Sequence, residues 1–345
     1  NKSEMKSSEQ EKKYFINPYT NLKDIRKYGS LLIEKGGGIY VYDENNNKYI
    51  EGLAGLWCVA LGFNNKRLIK AANKQLNLLP NYHSFTGKVP LTTLKLSEEL
   101  VKISPKSLTK VLYANSGSES NDTAIKMAWY YQNALGRIKK KKIISRYRGY
   151  HGVTIMSGSL TGMDYAHKGF DMPRDFVVHT DSPHYYKDSL SQESSREFVN
   201  RLLKNLENLI IKEGADNIAA MILEPIQGAG GVIIPPDNYL KGVQKLLKKN
   251  AILLIVDEVI CGFGRTGNMF GCDTFQIKPD MMVIAKGLSS GYVPISALLI
   301  NEEIYETISD FSSINNVFGH GYTYSGHPVA AAVALERSEE HTSEL

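Results

Sequence analysis

Three short stretches of this chain, 218–223, 251–256 and 281–285, are apolar at every position. That pattern suits parallel strands buried on both faces, because a strand with one wet face alternates. Residues 111–114 and 142–144 read as two further strands. Between the strands, apolar residues recur at helical spacing. Helices are predicted over about 66–78, and over 91–103 with Leu94, Leu96, Leu100 and Val101. Another starts near residue 117, carries Ala124, Ala128, Tyr131 and Leu135 on one face, and stops at Gly136. Two more cover 195–212, with Phe198, Leu202, Leu206 and Leu209, and 238–249.

The repeated order of strand, turn, helix and strand predicts an α/β fold, a mostly parallel sheet covered by helices on both faces. The N-terminal part has another style. Residues 39–42 and 48–50 flank a polar turn, Asp43-Glu-Asn-Asn-Asn47, and read as a small antiparallel sheet. This places residues 14–54 in the N-terminal segment of a small α/β domain and 55–336 in a large domain. Residues 1–13 form a polar, frayed lead-in. Residues 157–183 read as loop. A last helix begins at about His327 and fades near Leu335, with 337–345 as a tail that does not continue it.

In open α/β sheets, ligands gather at the carboxyl ends of the strands. Here the run 251–256 ends on Asp257-Glu258, and the run 281–285 ends on Lys286. An acid and a lysine delivered to one edge are what an enzyme needs to hold a pyridine-ring aldehyde cofactor. The lysine forms an imine, and the acid pairs with the ring nitrogen. Apolar residues before Asp-Glu also describe the metal strand of a nucleotide hydrolase, but that reading needs a GxxxxGK[ST] loop, which the sequence lacks.

Other turns converge on the same edge. Ser116-Gly-Ser-Glu-Ser-Asn121 joins a strand to a helix start, where orphan amides, the positive end of the helix dipole and serine hydroxyls can seat a phosphate. A plain capping turn has the same composition. In Tyr147-Arg-Gly-Tyr-His-Gly152, Tyr150 can lie flat on a ring. His151 fits either a general base or a locally bonded histidine. Glu224-Pro-Ile-Gln-Gly-Ala-Gly-Gly231 lets backbone approach a ligand. Trp57, on a Gly-flanked loop, fits either a core anchor or a pocket wall.

Composition narrows the classes. At 345 residues and 42% hydrophobic, the chain can bury a large core. Its 41 basic and 36 acidic residues leave a net +5, a mild excess that favours a phosphorylated cofactor or anionic substrates. The densest basic cluster, Lys139 to Lys142, reads as a solvated connection. No basic face is interleaved with aromatics, so nucleic acid is not an expected partner. Three cysteines, odd in number and widely spaced, suggest reduced thiols in a cytoplasmic setting and no metal site. No apolar run approaches the roughly 18 residues of a membrane span, and the first residues lack a signal peptide's apolar core.

Five motifs in this order, Ser116 to Asp122, Tyr150-His-Gly152, Glu224 to Gly231, Val256-Asp-Glu-Val259 with Gly262-Phe-Gly-Arg-Thr-Gly267, and Ala285-Lys-Gly287, resemble class III aminotransferases, pyridoxal-phosphate enzymes of fold type I. Gly55-Leu-Trp-Cys58 and Gly319 to Pro328 are similar to the pyruvate-using ω-transaminases among them. The match covers about 17–335, with Ser120 standing where alanine is common. The resemblance implies Lys286 as the imine-forming base and Asp257 as partner of the ring nitrogen. It places Gly117 and Ser118 on the phosphate, Tyr150 and Val259 on the two ring faces, and His151 and Glu224 beside the cofactor. Tyr322 and Thr323 would reach the phosphate of a neighbouring subunit in a homodimer. Leu56, Trp57, Phe85, Tyr150 and Ala229 would line the substrate pocket. The expected substrates are an amine or ω-amino acid donor and a keto acid such as pyruvate. The alternatives are a 2-oxoglutarate type (ornithine, acetylornithine or aminobutyrate) and a truncated cofactor-binding chain without activity, because the family's C-terminal small domain does not follow here.

Overall fold

A computed structural model describes residues 7–343 and divides them into two compact units. One holds the described residues up to Ala54 together with Leu61–Asn65; the other holds Gly55–Ala60 and the residues from Lys66 onward.

The smaller unit contains an antiparallel sheet, β1 (Ile33–Gly37), β2 (Tyr40–Asp43) and β3 (Lys48–Ile50), in that order. Asp43 makes the β2–β3 turn, accepting from the backbone of Asn45 and Asn47, the Asn47 amide and the Tyr49 hydroxyl. The expected lead-in is corrected. Ser7–Tyr14 is a helix whose Glu11 accepts from Asn17 Nδ2 at 2.9 Å and from the Ser30 amide at 3.1 Å. A polar composition hid a carboxylate that ties the segment down. Residues 1–6 of that expectation lie outside the described residues.

The larger unit is built on a seven-stranded sheet: β4 (Leu108–Ala114), β5 (Lys142–Arg146), β6 (Val177–Thr180), β7 (Ile218–Leu223), β8 (Leu253–Asp257), β9 (Met281–Ile284) and β10 (Ser296–Asn301). The spatial order is β4-β10-β9-β8-β7-β5-β6, and only β10 runs against its neighbours. Alternate residues of the continuous apolar runs enter two separate cores. Met221, Leu223, Leu254, Val256, Met282 and Ile284 pack with helices Leu91–Ile103, Ser195–Glu213, Tyr239–Lys249 and Pro328–Ser343. Ala220, Ile222, Ile255, Met281 and Val283 pack with Gly117–Ala134 and Glu302–Ser312. The unbroken apolar pattern therefore reports helices on both faces, as expected of a mostly parallel sheet.

Three expectations change. Residues 157–183 are not a loop: they contain the end of helix Ile155–Leu160, a 3₁₀ turn and the edge strand β6, whose four residues are too few to show a period. The last helix runs through Ser343, with Arg337 and Ser338 buried in it, although the polar residues after Leu335 suggested an end. The lysine cluster is not simply solvated. Lys140 is buried and donates to the carbonyls of Ala215, Ile218 and Ala251, while Lys142 pairs with Glu213. The Lys140 ammonium adds a donor to three carbonyls around the starts of β7 and β8.

Candidate active site

The carboxyl ends of β4, β5, β7, β8 and β9 and the loops beyond them open into one cavity of about 380 Å³. Gly117, Ser118 and Asn121 enter from the turn after β4, and Tyr150, His151 and Gly152 from the loop after β5. Glu224 follows β7, Asp257 and Val259 sit at the end of β8, and Lys286 follows β9; Leu56 and Cys58 close another side.

Asp257 is buried and its carboxylate is fixed from three sides. Oδ2 accepts from Asn121 Nδ2 and bonds His151 Nδ1, each at 2.8 Å, and Oδ1 accepts from the Val259 amide at 3.1 Å. Hydrogen bonds from three sides hold the carboxyl group in one orientation. Lys286 Nζ stands in the same cavity. Burial pushes its pKa below the ordinary lysine value, opposed first by the nearby Asp257 carboxyl group and assisted by Arg265. A lysine shifted this way has more of the neutral amine that can attack a carbonyl or accept a proton. Its backbone sits at φ 43°, in the left-handed region. Glu224 is buried, accepts from the amides of Tyr150 and Gly228, and is pushed upward in pKa by desolvation.

At the other end of the cavity, Ser116 caps helix Gly117–Ala134 in a reciprocal box with Glu119. The cap does not consume the seat. The Ser118 hydroxyl accepts from the Val153 amide at 3.1 Å, leaving its own proton to donate. Gly152 makes this approach possible: its φ is +136°, and a Cβ there would stand 2.3 Å from Ser118 Oγ. Val259 packs against Gly117 and so forms the wall between the helix start and Asp257. Ser120, the departure from the usual motif, is buried and bonds Ser296 Oγ at 2.7 Å; Ser296 in turn bonds the Ser116 carbonyl. The extra hydroxyl is satisfied by a matching one on β10.

Gly117, Ser118, Tyr150, His151, Glu224, Asp257, Val259, Lys286 and Leu56 are thus gathered, while other expected residues are not. Trp57 is half-buried and absent from the cavity lining, its ring against Gly228. Ala229 points outward as an exposed residue. Phe85 and Tyr322 line a different hollow with His320 and Gly321. Tyr322 is held there by the Glu119 carbonyl and Thr123, on the outer side of the helix start, and Thr323 is exposed. Those placements correct the expectation that Trp57, Phe85 and Ala229 line the chain's own pocket. Asn121 and Arg265 were not singled out from sequence. Asn121 is indistinguishable there from a capping residue, and only its burial on the inner helix face shows its role.

A lysine amine and a donor-fixed carboxylate at one sheet edge, facing a helix start with a donating hydroxyl, define a site for a phosphorylated carbonyl cofactor. The chain belongs to the class-III aminotransferase family, whose model matches residues 25–341. It is 54% identical over 307 residues to gamma aminobutyrate transaminase 1, mitochondrial, of Solanum lycopersicum, an alignment covering 89% of this chain and 60% of that protein. It superposes on the ω-transaminase of Pseudomonas jessenii in complex with PMP with a TM-score of 0.97 at 51% identity, covering 99% of this chain and 75% of that one. A transaminase solved with L-Ala gives 0.89 at 52% identity, over 91% of this chain and 74% of that one. The chain spans about 60% of the length of the tomato relative.

Class III aminotransferases use pyridoxal phosphate, and the residues present fit it. Ser118 and the first-turn amides would hold the phosphate, Asp257 the ring nitrogen, Val259 and Tyr150 the ring faces, and Lys286 the aldehyde carbon.

Proposed function

We propose that the protein moves an amino group from an amine or ω-amino acid to a keto acid, with pyruvate as the acceptor. The observation that carries this reading is the one cavity that Lys286, Asp257 and Ser118 share. Pyridoxal phosphate, when bound, supplies an exchangeable carbonyl and an electron-withdrawing ring. Lys286 Nζ, with its pKa lowered by burial, takes the proton from the donor's amine-bearing carbon and returns it at the cofactor side. Asp257, immobilised by Asn121, His151 and the Val259 amide, would pair with the ring nitrogen. Pyruvate is favoured because a similar solved transaminase carries L-Ala, the product of aminating pyruvate. A 2-oxoglutarate-using enzyme of the aminobutyrate type is the second reading, favoured by the aminobutyrate transaminase name of the tomato relative. We further propose a homodimer, in which Tyr322 and Thr323 serve the neighbour's cavity.

The test is purified chain with pyridoxal phosphate, γ-aminobutyrate or a primary amine as donor, and pyruvate or 2-oxoglutarate as acceptor. Alanine formation supports the first reading, and glutamate formation the second. Lys286→Ala is expected to abolish turnover and the cofactor's visible absorbance shift. Wild-type turnover in that variant would end the proposal.

A further inference from the structure

One part of the cavity's lining, at Gly55 and Leu56, is backbone in an unusual state. Gly55, Leu56 and Trp57 lie consecutively in the left-handed region, at φ 58°, 77° and 63°. For Leu56 and Trp57 this conformation is disfavoured by their own Cβ atoms. It therefore persists only where the surroundings impose it. Three contacts do so. The Trp57 ring lies against Gly228, where an added Cβ would stand 2.8 Å from Cζ3. Cys58 Sγ lies against Gly291 and donates to the Gly55 carbonyl at 2.9 Å. The third contact is Arg265, which donates through Nε to the Ile260 carbonyl at 3.0 Å and through Nη2 to the Trp57 carbonyl at 2.9 Å. Ile260, Leu56 and Cys58 all line the cavity.

We propose that Arg265 is a positioning residue for substrate selection: by joining the Ile260 and Trp57 carbonyls it locks the left-handed turn Gly55–Trp57, and with it Leu56 and Cys58, which line the cavity together with Lys286. The guanidinium suits this task because its planar fork can reach two carbonyls from different segments at once, which an ammonium on a flexible stem does not do with the same geometry. Arg265 is itself exposed, so replacing it opens no hole in the core. This inference rests on the aminotransferase reading for its substrate consequence, but the lock itself does not.

The test uses Arg265→Met and Arg265→Lys. In the protein without cofactor, the iodoacetamide alkylation rate is followed at each cysteine by peptide mass spectrometry. Cys58 reports on the turn, and the buried Cys261 and Cys272 report on global unfolding. Cys58 is expected to react about tenfold faster in both variants, as fits losing a hydrogen bond from a charged donor, with Cys261 and Cys272 still protected. With cofactor, KM for the amine donor is expected to rise in both variants by a larger factor than kcat falls. An unchanged Cys58 rate in both variants overturns the lock. A lysine variant that behaves as wild type also overturns it, because charge alone would then suffice. If wild-type protein fails to transaminate, the function falls while the alkylation rates still decide the lock.

Discussion

Asp257 takes its chemistry from two side chains that it does not neighbour in sequence. Asn121 Nδ2 donates to Asp257 Oδ2 and, at 2.6 Å, to the His151 carbonyl, so one amide ties the β5 loop to the end of β8. Asn121→Ala leaves that carbonyl without this donor and removes one of three donors from a buried carboxylate. A loss of roughly 2 kcal/mol in stability is expected, read from the denaturant midpoint. Pyridoxal phosphate affinity is expected to fall in the same variant, measured by absorbance titration, because the carboxylate is no longer held in one orientation. Unchanged affinity together with the stability loss would make Asn121 merely structural. Lys286 and Asp257 were legible in the sequence because each ends an apolar run, and a charge at such a place stands out. Asn121 was not legible, since a polar residue in a helix's first turns reads as a cap whichever way its side chain faces.

At the scale of elements, the joint between β8 and helix Gly271–Phe275 carries a titratable group with no part in the proposed chemistry. Glu258 is fully buried, and its two oxygens accept from the Gly271 and Cys272 amides at 2.9 and 2.6 Å. Burial pushes its pKa up from 4.5 to about 7 despite those bonds. The folded chain therefore binds this proton more tightly than the unfolded chain. Its contribution to stability is complete below about pH 4.5 and declines as pH rises through about 7, by roughly 3 kcal/mol in all. Glu258→Gln removes the titration, so the fall of Tm across that range is expected to be shallower than in the wild type. Parallel Tm curves for the two proteins would show that Glu258 does not titrate there. Elements themselves were legible wherever composition alone decides them. Helices Lys66–Leu78 and Leu91–Ile103 fall where the sequence predicts them, and strand β7 coincides with its unbroken apolar run. Strand β10 is different. Its central residues Ala297, Leu298, Leu299 and Ile300 are apolar like those of β9, but its insertion between β4 and β9, antiparallel to both, is decided by long-range pairing that no local pattern encodes.

For the whole molecule, the question is where Phe85, Tyr322 and Thr323 act. The chain's own cavity does not include them, yet Tyr322 is bonded to the first turns of the helix that begins at Gly117. A two-fold dimer can use such a segment twice, each copy offering it to the other's cavity. The proposal of shared sites then makes a quantitative demand. Lys286→Ala removes the amine of a chain's own cavity, and Thr323→Ala removes the residue offered to the neighbour's. Homodimers of either variant carry two damaged sites. A hybrid of the two carries one site with both defects and one site with none. Random exchange makes half of the dimers hybrids, so mixing the variants in equal amounts is expected to restore about a quarter of wild-type turnover. Recovery must follow the rate of subunit exchange and vanish when the chains are cross-linked before mixing. If each cavity were complete within one chain, the mixture would show no more than the average of the two variants alone.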